Sequence, residues 1–369
     1  MWSTLLLPAL ALFLAATPAV AAKTFVLVSG GTNPAAANPV GLSVFRLDNG
    51  HLTPHETYTN ATTGNQPTYM ALSYDKRFLY LTNEVDQGQV ASFRVQSDGS
   101  LQPLGIAPTH SNGPVHLVVT QDNRFIILAS YNVGSVTVME IRPDGRVGAV
   151  VDQIAFAGGS GVVPGRQDSS HVHCVALSPC NCFVFVTDLG NDKIMQFQFS
   201  AKTGHLTPNT PAYVSTGPGT LPRHMAFHPS GDRLYLTTEF SNELVLFDFD
   251  HTRGTLSVRN RTKTTTARNV LTAAIHMTAT GHVLVSNRGG RDNSVAVFHE
   301  DLRHVGSYPT SAGDGYPRDF TIFEAQVFAA NQLTNDVVAF DVVGTDPTLR
   351  KAAVDVSAFA PQCVLGLSV

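Results

Sequence analysis

An apolar run closed by a small or polar residue recurs seven times along the chain, at intervals of about fifty residues. The copies are Val26 to Gly30, Leu79 to Asn83, Ile127 to Ser130, Val184 to Asp188, Leu234 to Thr238, Val283 to Asn287 and Val327 to Asn331. Each run is too short for a buried helix and rich in β-branched or aromatic residues, so each predicts a strand.

Upstream of most copies a second apolar stretch is joined by a tight turn, as in His224-Met225-Ala226-Phe227 before Pro229-Ser230-Gly231-Asp232. Downstream comes an alternating strand such as Val295-Ala296-Val297-Phe298, followed by a polar turn and a fourth segment. Four short strands at this period form a sheet that cannot bury both faces alone and must stack on its neighbours. The prediction is therefore an all-β, seven-bladed β-propeller with four-stranded blades. Thr24 to Gly30 has no preceding partner strand, whereas Pro361 to Leu367 resembles the missing one. Pairing the two would close the ring and remove two exposed sheet edges.

Repeats override the two or three domains that 369 residues would otherwise imply, so residues 23–369 are expected to form one domain. Charged residues make up only 14% of the chain and the formal net charge is -4, which provides no basic stripe for nucleic acid. Leu5 to Ala16 is apolar and precedes the small residues Pro18 to Ala22, so residues 1–22 read as a removed signal peptide and the protein as secreted. No later run is long enough to span a bilayer. Two Asn-x-Thr sequons, at Asn60 and Asn260, fall in predicted loops and are glycosylation acceptors in a eukaryotic host. Cys174, Cys180, Cys182 and Cys363 form neither a disulfide scaffold nor a paired zinc motif; a bridge from Cys180 or Cys182 to Cys174 and free buried thiols both remain open.

In such a ring the start of each blade's first strand and the end of its second gather at one mouth of the central channel. The first-strand starts are Gln362-Cys363, Thr68-Tyr69, Val115-His116, His173-Cys174, Arg223-His224, Ala273-Ala274 and Arg318-Asp319. The second-strand ends are Gly31, Glu84, Tyr131, Leu189, Glu239, Arg288 and Gln332. Arginines, glutamates and histidines converging there point to a small anionic ligand, with Arg supplying bidentate contacts. His171 and His173 share a strand face by the period of two, but no third ligand stands at a fixed spacing, so no metal or other cofactor is expected. Asp188, Asn287 and Asn331 are read as turn formers.

Arg166-Gln167, His171-Val172-His173, Thr187 to Gly190, Leu221 to Pro229, Val285 to Gly289, Pro317 to Phe320 and Ala330-Asn331-Gln332 occur in an order that resembles the seven-bladed lactonase family. That family includes bacterial propeller-type 6-phosphogluconolactonases and fungal 3-carboxy-cis,cis-muconate lactonizing enzymes. The resemblance implies a metal-independent site with His173, Arg223, Glu239 and Arg288 in catalytic positions and a small anionic lactone, or its open acid, as substrate. His116, His171, His224, Arg318, Gln332 and Glu84 are expected to bind that substrate. Ala274-Ile275-His276 and Thr238 depart from the family pattern, which bears on the substrate. Hydrolysis, a lactone-forming cycloisomerisation in which a carboxylate adds across a double bond, and a secreted binding protein without turnover are the three functions carried forward. No protein partner is expected, and the chain is read as a monomer.

Overall fold

The computed structural model describes residues 22–32 and 38–369, so all of the leader predicted over 1–22 except Ala22 lies outside the described residues. Seven four-stranded antiparallel sheets form a ring. The seven recurring runs are the second strands of these sheets, counted outward from the channel, and each blade takes its number from the order of that strand in the chain. The C-terminal strand Pro361–Ser368 pairs with Thr24–Gly30 and is the innermost strand of blade 1, closing the ring as predicted.

Alternation explains why the second strands are apolar without a break. Phe25 and Leu27 pack toward blade 2, while Val26 and Val28 pack toward blade 7. The same division recurs around the ring, giving seven apolar clusters with one at each seam between adjacent blades. A strand buried on both faces needs apolar residues at every position. Full burial of a residue such as Leu27 is worth roughly 1.5–3 kcal/mol.

The polar ends of the repeat do a different job. In every blade the pairing of the innermost strand with the second slips near the channel mouth, leaving an extra residue on the inner strand. The slip falls at Gln362, Thr68, Val115, His173, Arg223-His224, Ala273-Ala274 and Arg318, the positions the sequence placed at the mouth. A β-bulge of this kind re-aims a side chain that regular pleating would have committed to a seam. The hydroxyl in the repeat satisfies the backbone that the bulge frees. Thr187 Oγ1 accepts from Cys174 N at 2.9 Å and donates to Arg223 O at 2.9 Å, while Thr237 Oγ1 accepts from His224 N and donates to Ala273 O. The hydroxyls thereby tie blade 4 to blade 5 and blade 5 to blade 6.

Three expectations need correction. Cys180 and Cys182 are bonded to each other, and Cys174 and Cys363 are free and buried, so no bridge to Cys174 forms. Asn260 lies within the exposed outer strand Thr255–Lys263 and Asn60 opens the short helix Asn60–Thr63, so neither sequon is in a loop. His171 precedes the strand Val172–Leu177 and His173 is its bulged residue, so the period-two alternation assumed for them does not apply.

Candidate active site at the channel mouth

Backbone geometry fixes the second-strand ends before any side chain is considered. The N–H groups of Glu84, Tyr131, Leu189, Glu239 and Gln332 donate to the carbonyls of Gln66, Gly113, His171, Leu221 and Tyr316, each of which leads into an innermost strand. Four of those five acceptors have positive φ: Gln66 50°, Gly113 67°, Leu221 57° and Tyr316 57°. For a bulky, fully buried Leu221 this conformation costs of order 1–3 kcal/mol and persists only where its surroundings enforce it. The strain brings the chain round so that Glu239 and Arg223 face each other across the hairpin.

The centre of the site is Glu239. Its Oε2 accepts from Arg223 Nε at 3.1 Å and from Arg288 Nη2 at 3.2 Å, and its Oε1 accepts from Arg166 Nη2 at 2.6 Å. Glu239 is 3% exposed, Arg223 2% and Arg288 5%. Burial works to raise the Glu239 carboxyl, but the guanidiniums of Arg288, Arg223 and Arg166 outweigh it and hold the group at about 2. It is a carboxylate at any physiological pH. Burial lowers Arg223 to about 9, helped by repulsion from Arg288 and opposed by Glu239, so it remains cationic at neutral pH.

These residues line a cavity of about 150 Å³ together with Glu84, Val115, Tyr131, His173 and Arg318. Arg318 Nη2 lies 3.6 Å from Glu84 Oε2, which links blade 7 to blade 2 past blade 1. Four guanidiniums against two carboxylates leave the lining with two uncompensated positive charges. His173 is buried, and burial followed by repulsion from Arg223, Arg318 and Arg288 holds it well below the usual imidazole range, so it is neutral. Its Nδ1 makes no hydrogen bond, and neither do Arg223 Nη1, Arg288 Nε and Arg288 Nη1, all buried. Buried guanidinium donors are costly to leave unpaired, which marks the cavity as a place for acceptor oxygens.

Beneath the cavity Tyr69 stacks on His116 with centroids 4.1 Å apart, and His224 stands edge-on to His116 at 5.2 Å and to His173 at 5.1 Å. These rings form the floor. His116 accepts from Val175 N through Nδ1, burial lowers it to about 3, and it is not among the residues lining the cavity. His224 reaches only a small void below, shared with Gln362 and Asp319. His171 stacks on Tyr131 at 4.4 Å, its Nδ1 bonded to the Tyr131 carbonyl, and it supports the wall from outside. Gln332 is likewise outside the lining. Of the six residues expected to bind substrate, Arg318 and Glu84 therefore line the cavity. Asp188, Asn287 and Asn331 bond to the loops behind the mouth, as turn formers do.

Arg166 escapes the strand-end count because it lies in the glycine-rich loop between blades 3 and 4, where no periodicity operates. The only sequence signal for it is the Arg166-Gln167 pair in the family resemblance. The structure shows how the pair works: buried Gln167 donates through Nε2 to Leu189 O and accepts from Val163 N, pinning the loop that carries Arg166 over the mouth.

Comparison with known proteins agrees with the fold. The family profile described as lactonase, 7-bladed beta-propeller, matches residues 25–366. This chain belongs to that family. The 6-phosphogluconolactonase of Bacillus subtilis is 31% identical over 88% of this chain and 93% of its own length. The 6-phosphogluconolactonase of Cronobacter sakazakii is 31% identical over 76% of this chain and 82% of its own length. The solved structure of a Pseudomonas aeruginosa periplasmic gluconolactonase superposes with a TM-score of 0.84 at 26% identity, covering 93% of this chain and 99% of that one.

Proposed function

We propose that this propeller lactonase hydrolyses a small anionic lactone at the channel mouth. The observation carrying the proposal is the set of unpaired buried nitrogens on His173, Arg223 and Arg288 around a net-positive cavity. Lactones are cyclic esters, so hydrolysis needs an activated water, a stabilised oxyanion and a proton for the departing alkoxide. Both oxygens of Glu239 are committed to guanidiniums, whereas His173 is neutral and its Nδ1 has no partner, so in this reading His173 is the base. In this reading His173 takes a proton as water attacks the carbonyl carbon, and Arg223 stabilises the tetrahedral oxyanion. The ring C–O bond then breaks and His173 returns its proton to the leaving oxygen, giving the open hydroxy acid. Arg288 and Arg318 hold the substrate's carboxylate or phosphate, and Glu239 orients Arg223, Arg288 and Arg166. The guanidiniums supply the positive charge that a metal would otherwise bring, which supports a metal-independent reaction.

The apolar leader segment supports a secretory location, and the periplasmic gluconolactonase among the relatives shows that a lactone substrate is compatible with one. One observation favours a binding protein instead. Blade 6 offers Ala273 and Ala274 at its bulge, so His173 is the single uncommitted base in the lining. A panel of 6-phosphogluconolactone, unphosphorylated gluconolactone and muconolactone, followed by pH-stat against the spontaneous rate with and without chelator, separates the readings. Chelator-resistant acceleration on an anionic member supports hydrolysis, and binding without acceleration on any member supports the alternative.

A further inference from the structure

Far from the mouth, His282, His299 and Asp346 bring one ligand atom each to within 4.8 Å of one another. His282 immediately precedes the second strand of blade 6, Val283–Arg288, and His299 immediately follows its third strand, Ser294–Phe298. Asp346 sits in the turn between Asp336–Val343 and Thr348–Ser357 of blade 7. The three therefore straddle one seam.

The corresponding seams show what this position ordinarily does. Arg124, at the start of blade 3's second strand, donates to Ala201 O and Lys202 O in the outer turn of blade 4. Arg233, in blade 5, donates to Glu300 Oε2 in the outer turn of blade 6 at 3.0 Å. Both are direct straps from one blade to the next. In blade 6 an imidazole takes the place of the guanidinium, and the gap is not closed. His282 Nε2 lies 3.7 Å from Asp346 Oδ1 and His299 Nε2 lies 3.8 Å from the same oxygen, too far for hydrogen bonds. His282 Nε2 is buried and makes no hydrogen bond. Its Nδ1 is 3.2 Å from Thr280 Oγ1, so donation to that hydroxyl leaves the Nε2 lone pair facing His299 and Asp346.

We propose that these residues bind a divalent late transition ion, of which Zn²⁺ is the natural probe, and that the ion takes over the strap between blades 6 and 7. Two neutral imidazoles and one carboxylate suit zinc, nickel or copper in preference to calcium or magnesium, which want oxygen ligands. Bonds of roughly 2.1 Å in a tetrahedral site place ligand atoms roughly 3.4 Å apart, so the two distances to Asp346 need to close by only a few tenths of an ångström, with the two imidazoles drawing together from within 4.8 Å. Asp346, with 68% of its side chain exposed, keeps the fourth position open to water.

The test is equilibrium dialysis of the full chain, without a polyhistidine tag, against Zn²⁺, with thermal unfolding of the same samples. One Zn²⁺ per chain is expected, with a higher melting temperature, and the affinity should fall at least about tenfold in His299→Ala and in Asp346→Asn. The second change is at an exposed turn and leaves the fold intact. Zn²⁺ bound equally well by both variants, or no binding to the unaltered chain at micromolar Zn²⁺, would overturn the proposal.

Discussion

Arg223 and Glu239 meet at 3.1 Å across the bulge of blade 5, with both side chains almost sealed from solvent. Neither ion would tolerate this burial alone, and breaking such a pair from one side typically costs about 3–5 kcal/mol. Glu239→Gln should therefore lower the unfolding free energy by about 3 kcal/mol in denaturant titrations, because it strands Arg223 and Arg288 together. A variant as stable as the parent would show that the guanidiniums find another counter-charge.

Thr187 positions both residues assigned to chemistry, since its hydroxyl serves the bulge that carries His173 and the carbonyl of Arg223. Thr187→Val keeps the shape and removes the bonds. Stability should drop by about 1–3 kcal/mol, and kcat should fall more than KM rises if the displaced groups act on the transition state.

Arg288 bonds Glu239 through one nitrogen and leaves Nε and Nη1 for a ligand, with its guanidinium over the Tyr316 ring at 4.9 Å. Lysine can reproduce the charge but not the fork. Arg288→Lys should weaken inhibition by a small dicarboxylate or phosphate at least about tenfold in competition kinetics, since a bidentate site does not accept the exchange.

Acid should erode the stability of the protein over two overlapping pH windows. His116 is held at about 3 against an ordinary 6.5, so its neutral form contributes stability that is complete above 6.5 and lost as the pH falls toward 3. Glu239, at about 2 against 4.5, contributes stability that is complete above 4.5 and lost as the pH falls toward 2. Between pH 5.5 and 4, His116→Asn should flatten the slope of unfolding free energy against pH by about 1.4 kcal/mol per unit. An unchanged slope would mean that His116 protonates in the folded state.

The ring was legible in the sequence because burial on both faces of the second strands imposes a repeated signal that chance does not supply. The mouth was legible for a related reason: the bulges fall at one place in every repeat, so residues such as His173, Arg223 and Arg318 could be aligned without coordinates. Arg166 was not, since a loop obeys no period. Spacing offsets His116 by one residue from His173 but does not say which of the two positions faces the cavity, so it could not tell that His116 supports the floor while His173 lines the cavity one blade away. A difference of one residue relative to the bulge decides between them, and register at that level is set by packing.

The most direct test of the mouth as a lactonase site is kcat for the best lactone in the panel with His173→Gln and Arg223→Met beside the parent protein, folding being checked by circular dichroism. The mechanism predicts a parent rate well above spontaneous hydrolysis and a loss of about 10²-fold or more in each variant. Parent turnover that survives both substitutions would place the chemistry elsewhere.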